Sequence, residues 1–73
     1  MINTSNVLIK FGANVRRFRK KRGLSQERLG LVAKFDRTYV SMVERGVRNP
    51  SLTNVCRLAV ALEVDPSRLL EGI

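Results

Sequence analysis

The sequence predicts an all-α fold of five short helices in one compact domain. Three observations lead there. Apolar residues recur at spacings of three and four along most of the chain, cap residues and glycines punctuate them at short intervals, and no stretch alternates with the period of two that a half-buried strand requires. Seventy-three residues suit a single domain with a modest core, since ~60% of the unfolded surface is buried near this length. A hydrophobic content of 44% is enough to avoid disorder. Residues 1–6 are expected as a flexible N-terminal tail, and residues 7–73 as the domain.

Each element has its own justification. Leu8, Phe11, Val15 and Phe18 define the apolar stripe of a first helix ending near Gly23. At about 100° per residue, Arg17 and Lys20 fall opposite that stripe, with Arg19 nearer its edge. Ser25 caps a second helix, Glu27 sits in its first turn where the helix dipole favours an acid, and Leu29, Val32 and Ala33 form its inner face. Lys34-Phe35-Asp36 breaks that helix, and Asp36 caps a third in which Val40 and Val43 point inward. Thr38, Ser41, Met42 and Arg45 point away from them, and Gly46 is placed as the left-handed residue that stops the helix. Asn49-Pro50-Ser51 is a turn into a fourth helix capped by Ser51, with Leu52, Val55, Leu58, Ala59 and Leu62 as its stripe. Asp65-Pro66, a cap followed by a first-position proline, starts a short fifth helix carrying Leu69 and Leu70.

Charge is unevenly spread. The net charge is +8, of which residues 1–25 carry +7, residues 26–50 carry +2 and residues 51–73 carry −1. One end is therefore a cationic surface suited to an anionic partner, and the other is nearly neutral and rich in Leu and Val. The chain has one cysteine and no histidine, and it shows no signal peptide or membrane-length apolar run. These features point to a soluble cytoplasmic protein without a disulfide or membrane partner. No nucleophile–base pair, phosphate-cradling glycine loop or cluster of metal ligands is present, so no enzyme, metal, cofactor or small-molecule ligand is expected. Cys56 reads as a small packing residue, with a redox sensor as the minor alternative.

The segment Leu24–Pro50 carries the functional signal: two short helices, a tight turn, a glycine stop and a basic loop. This suits a helix-turn-helix whose second helix enters the major groove of DNA. Arg37 has the fork geometry for a bidentate contact to guanine, worth ~1–3 kcal/mol of discrimination. A cation at a helix N-terminus opposes the dipole, which favours an external partner over a merely solvated arginine. Thr38 is a weaker base-reading candidate, because Thr also suits a first helical turn. Tyr39 has two equal readings: a ring packed beside Val43, or a hydroxyl reaching a phosphate. The run Arg16–Arg22 is by itself often a solvated face; beside this motif it becomes the electrostatic part of a DNA footprint.

Residues 11–70 resemble the lambda-repressor/Cro-type (XRE-type) helix-turn-helix family, through Gly23-Leu24-Ser25-Gln26, Leu29, Val40, Glu44 and Gly46. Within it, Asp36 to Leu52 is similar to the controller proteins of restriction–modification operons, which are five-helix dimers. The resemblance implies roles residue by residue. Arg37, Thr38 and Met42 match base-facing positions, Met42 offering only an apolar contact such as a thymine methyl. Gln26 matches a phosphate-binding position, and Arg48 and Asn49 match a loop that grips the backbone. Tyr39, Ser41, Arg17 and Lys20 complete the expected phosphate contacts, and Arg19 with Glu44 matches a partly buried ion pair. Two departures stand out. Gly30 replaces a usual Ala inside a helix, costing ~1 kcal/mol; Lys34 replaces a usual Gly in the turn, where a left-handed backbone adds roughly 1–2 kcal/mol.

Leu69, Leu70 and Ile73 exceed what the fifth helix needs to hold itself down; ordinary core closure is one reading, and a two-fold dimer interface made by the last helices is the favoured one. A domain this small reads too few bases alone. The expectation is a homodimeric, sequence-specific regulator on a palindromic duplex operator, with RNA polymerase a further partner implied by the controller resemblance. Rival readings are a phage Cro-like repressor, an autoregulating antitoxin and a protein-interaction module that does not read DNA. A cationic membrane-surface peptide is disfavoured by the interleaved caps and turns.

Overall fold

Local chemistry sets the helix ends in a computed structural model that describes residues 4–73. A 3-10 turn, Thr4–Asn6, leads into α1 (Val7–Lys21); α2 (Gln26–Ala33), α3 (Arg37–Glu44) and α4 (Leu52–Leu62) follow, and a 3-10 helix (Pro66–Leu70) ends the chain. The Ser25 and Ser51 hydroxyls accept hydrogen bonds from the N–H groups of Arg28 (3.0 Å) and Asn54 (3.1 Å), satisfying donors that each helix start leaves free. Gly23 and Gly46 take positive φ after α1 and α3. Of the expected tail, Met1 to Asn3 lie outside the described residues, while Thr4 to Asn6 form a 3-10 turn.

There are four α-helices among the described residues, not five. The segment after Asp65-Pro66 closes with three-residue bonds, from Arg68 N–H to the Asp65 carbonyl (2.9 Å) and from Ile73 N–H to that of Leu70 (3.2 Å). Short pieces of this kind commonly take 3-10 bonding, and Leu69 within it is buried in the core.

The core joins Phe11, Val15 and Phe18 of α1 to Leu29, Ala33, Val40, Val43, Val55, Leu58, Leu62 and Leu69. Three expected core residues lie outside it. Leu8, in the first turn of α1, is only half-buried and stands apart from the cluster. Val32 is 50% exposed because the buried face of α2 is turned toward Gly30, where the following turn packs closely. Leu52 is 79% exposed because it is the first residue of α4 and the core lies further along that helix. Cys56 is likewise exposed, one position past the inward-facing Val55.

The crossing of α1 over α3 depends on Gly12. A Cβ there would lie 2.3 Å from the Val43 carbonyl oxygen and 2.6 Å from that of Glu44, so only glycine permits this approach. The C-terminal segment is tied back to α1 by polar bonds. Asn14 Nδ2 donates to the carbonyls of Leu69 (2.9 Å) and Glu71 (2.8 Å), and Lys10 Nζ donates to that of Gly72 (3.1 Å).

Candidate nucleic-acid interface

The turn between α2 and α3 places the site. Lys34 is left-handed (φ 63°, ψ 46°), and its N–H and that of Phe35 both reach the Gly30 carbonyl. Gly30 has a specific use here, since a Cβ on it would lie 2.6 Å from the Phe35 carbonyl oxygen. The expected helix-propensity loss is thus set against a turn that closes tightly. Arg57 of α4 clamps the same turn by donating to the carbonyls of Ala33 (2.9 Å) and Lys34 (2.7 Å) while its guanidinium stacks 4.1 Å from the Phe35 ring centre. Charge-assisted bonds of this kind offset the strain at Lys34.

With the turn fixed, the first residues of α2 and α3 lie side by side. Gln26, Arg37, Thr38 and Ser41 line one shallow cleft. Arg37 and Thr38 are exposed, and Arg37 has no ion-pair partner among the described residues. Asp36 occupies the cap position of α3 with extended backbone, but its side chain makes no cap bond, contrary to expectation. The helix N-terminus therefore keeps its free N–H groups beside Arg37, an arrangement suited to an anionic partner.

The flanking residues divide. Tyr39 packs its ring against Phe35 (4.6 Å between centres) and against the core that contains Val43, and its hydroxyl oxygen accepts from Asn54 Nδ2 at 3.1 Å. That leaves the hydroxyl hydrogen free to donate outward. Arg48 lies 5.3 Å over the Tyr39 ring and Asn49 is exposed beside it, while Met42 is half-buried. Lys20 is exposed on α1. Arg17 joins the C-terminal segment instead of the cleft, bonding to Glu71 at 2.8 Å. That bond holds the Glu71 carboxyl below its ordinary 4.5 against an opposing desolvation, with help from a second bond to Arg68.

Behind the cleft, Arg19 and Glu44 form the expected pair. Arg19 donates from Nε to Glu44 Oε2 (2.5 Å), from Nη2 to Oε1 (3.0 Å) and from Nη1 to the Leu24 carbonyl (2.8 Å). The side chains are 10% and 3% exposed. Gln26 Nε2 also donates to Glu44 Oε1, at 3.1 Å. The parts played by Asn54, Arg57 and Glu44 toward Tyr39, the turn and Gln26 were not visible in the sequence, where no spacing rule links such distant residues.

At the C-terminus, Leu69 is 0% exposed and belongs to the chain's own core, so it is not available to a second subunit. Leu70 is exposed, and Ile73 packs partly against the core. Among the described residues no cluster of His, Cys, Asp or Glu is arranged to hold a metal, and no helix is long and apolar enough to cross a membrane.

A capped α2, a tight left-handed turn and an exposed polar start to α3 define a helix-turn-helix. The chain belongs to the helix-turn-helix family, whose model matches residues 15–69. The control protein C.BamHI of Bacillus amyloliquefaciens is 44% identical over 69 residues, covering 93% of this chain and 85% of that protein. Two solved structures share the fold. The restriction–modification controller protein C.AhdI from Aeromonas hydrophila has a TM-score of 0.83 and 50% identity, covering 85% of this chain and 94% of that one. SinR, the master regulator for biofilm formation, solved in complex with DNA, has a TM-score of 0.79 and 29% identity, covering 84% of this chain and 98% of that one. The protein is a DNA-binding transcriptional regulator related to restriction–modification controller proteins, not an enzyme.

Proposed function

We propose that the chain is a cytoplasmic, homodimeric controller of a restriction–modification operon, acting on a near-palindromic operator. One observation carries the reading: Arg37 and Thr38, exposed and unclaimed by ion pairs, share a cleft with Gln26 and Ser41 at the adjoining helix starts. Arg37 and Thr38 read base edges in the major groove, and Met42 offers an apolar edge. Gln26, Ser41, Tyr39, Arg48, Asn49 and Lys20 grip phosphates, fixing register without specifying sequence. Arg17, paired with Glu71, contributes long-range charge rather than a contact of its own. The dimer face uses Leu70 and Ile73, and half-site centres lie about one helical turn, ~10 bp, apart. Regulation follows occupancy: a dimer over a promoter blocks RNA polymerase, and one beside it recruits the enzyme. Protein concentration is the input.

Selection of bound duplexes from a random pool tests this. A symmetric enriched site with the stated spacing is the expected result, and an unenriched pool defeats the assignment. Arg37→Ala should remove ~1–3 kcal/mol of discrimination at one base pair while retaining most non-specific affinity. A protein-interaction module that does not read DNA would be indifferent to that change.

A further inference from the structure

We propose that Glu44, whose side chain is buried behind the cleft, positions Gln26 for its phosphate. This rests on the reading of Gln26 as a backbone contact and adds the atoms that prepare it. Glu44 Oε1 accepts from both Arg19 Nη2 (3.0 Å) and Gln26 Nε2 (3.1 Å). A carboxylate only accepts, so it dictates that the Gln26 amide turns its NH2 end inward and parks one of its two hydrogens there. The second hydrogen is left for an oxygen in the cleft that Gln26 shares with Arg37, Thr38 and Ser41.

Two further features make the arrangement effective. Glutamine loses much rotamer freedom when it is pinned, and pinning it before binding removes that loss from the association step. A carboxylate near a phosphate is repulsive, but Arg19 meets this one with two hydrogen bonds and neutralises it. The ion pair that ties α1 to α3 therefore also cocks a DNA-contacting side chain.

The test is a double-mutant cycle on binding to a short mixed-sequence DNA duplex at low ionic strength. Glu44→Asp withdraws the carboxylate by one methylene, about 1.5 Å, while keeping the charge that Arg19 needs. Gln26→Ala should weaken binding about tenfold in the native background and no more than about threefold in Glu44→Asp, with folding checked by circular dichroism. Equal losses in both backgrounds overturn the proposal. A second readout needs no variant. Gln26 is the chain's single glutamine, so its side-chain amide is identifiable by NMR. In the free protein it should be as ordered as the helical backbone; a freely rotating amide overturns the proposal. If the native chain binds duplex but Gln26→Ala changes nothing, this inference fails and DNA binding stands. A native chain that binds no duplex fails the functional reading itself.

Discussion

Gly12→Ala sets two physical effects against each other, and the tertiary contact decides the sign. Gly12 lies inside the fifteen-residue α1, where alanine is favoured over glycine by ~1 kcal/mol. Propensity alone therefore predicts stabilisation. The new Cβ would lie 2.3, 2.6 and 2.9 Å from backbone atoms of Val43 and Glu44. Ordinary contacts between non-bonded atoms begin near 3.4 Å, so the shortfall is about 1 Å. The obstructing atoms belong to the last turn of α3, not to a movable side-chain tip, so the helices themselves must part. Parting them loosens Phe11 and Val15 against Val43 and disturbs the Arg19–Glu44 pair. Overpacking of this kind costs ~1–3 kcal/mol, and adding the disturbed pair gives an expected net loss of about 2 kcal/mol. In a domain of this size that is a fall of about 10 °C in Tm. Urea unfolding followed by circular dichroism measures it. Ala13→Gly, at the neighbouring exposed position, is the control and should lose only ~1 kcal/mol through propensity. A Gly12→Ala protein as stable as the native one, or more so, refutes the close-approach argument.

Three further outcomes are expected. Arg19→Met leaves the Glu44 carboxylate, 3% exposed, without its cation and should destabilise by ~3–5 kcal/mol in denaturant unfolding, most of which Arg19→Met with Glu44→Leu restores; a single-variant loss below about 1 kcal/mol contradicts the pairing. Lys34→Gly relieves a left-handed side chain and should raise stability by about 1 kcal/mol, with no gain meaning that the Arg57 clamp already absorbs the strain. Glu71 has its folded pKa depressed, chiefly by the Arg17 hydrogen bond, so its stabilising contribution is present above the ordinary 4.5 and is lost as pH falls through the lower folded value. An NMR titration should place its midpoint below 4.5, and Glu71→Gln should flatten that part of the acid limb of stability.

The parts of this protein that were legible in sequence are those governed by near neighbours. Ser25 and Ser51 cap because a hydroxyl three residues upstream of an N–H reaches it whatever the rest of the chain does. Gly46 ends α3 where its position suggested, and Lys34 is left-handed at the turn position where the resemblance has Gly, there with the Arg57 clamp from α4. The i, i+3 and i, i+4 stripes of α1, α3 and most of α4 identified the core faces, and the helix-turn-helix resemblance supplied the Arg19–Glu44 pair. Periodicity names a face without fixing its width, rotation or extent, which is why Leu8, Val32 and Leu52 were expected inside and lie outside the core. Only packing decided that Leu69 closes the core, that Gly12 carries a helix crossing and that Arg17 turns to Glu71, 54 residues away. The bond from Gln26 to Glu44, 18 residues on, likewise exists only once three helices have met. The sequence by itself determined where helices start and stop, because those interactions act within a turn; the tertiary structure decided which side chains meet, because that depends on distances set by the whole core.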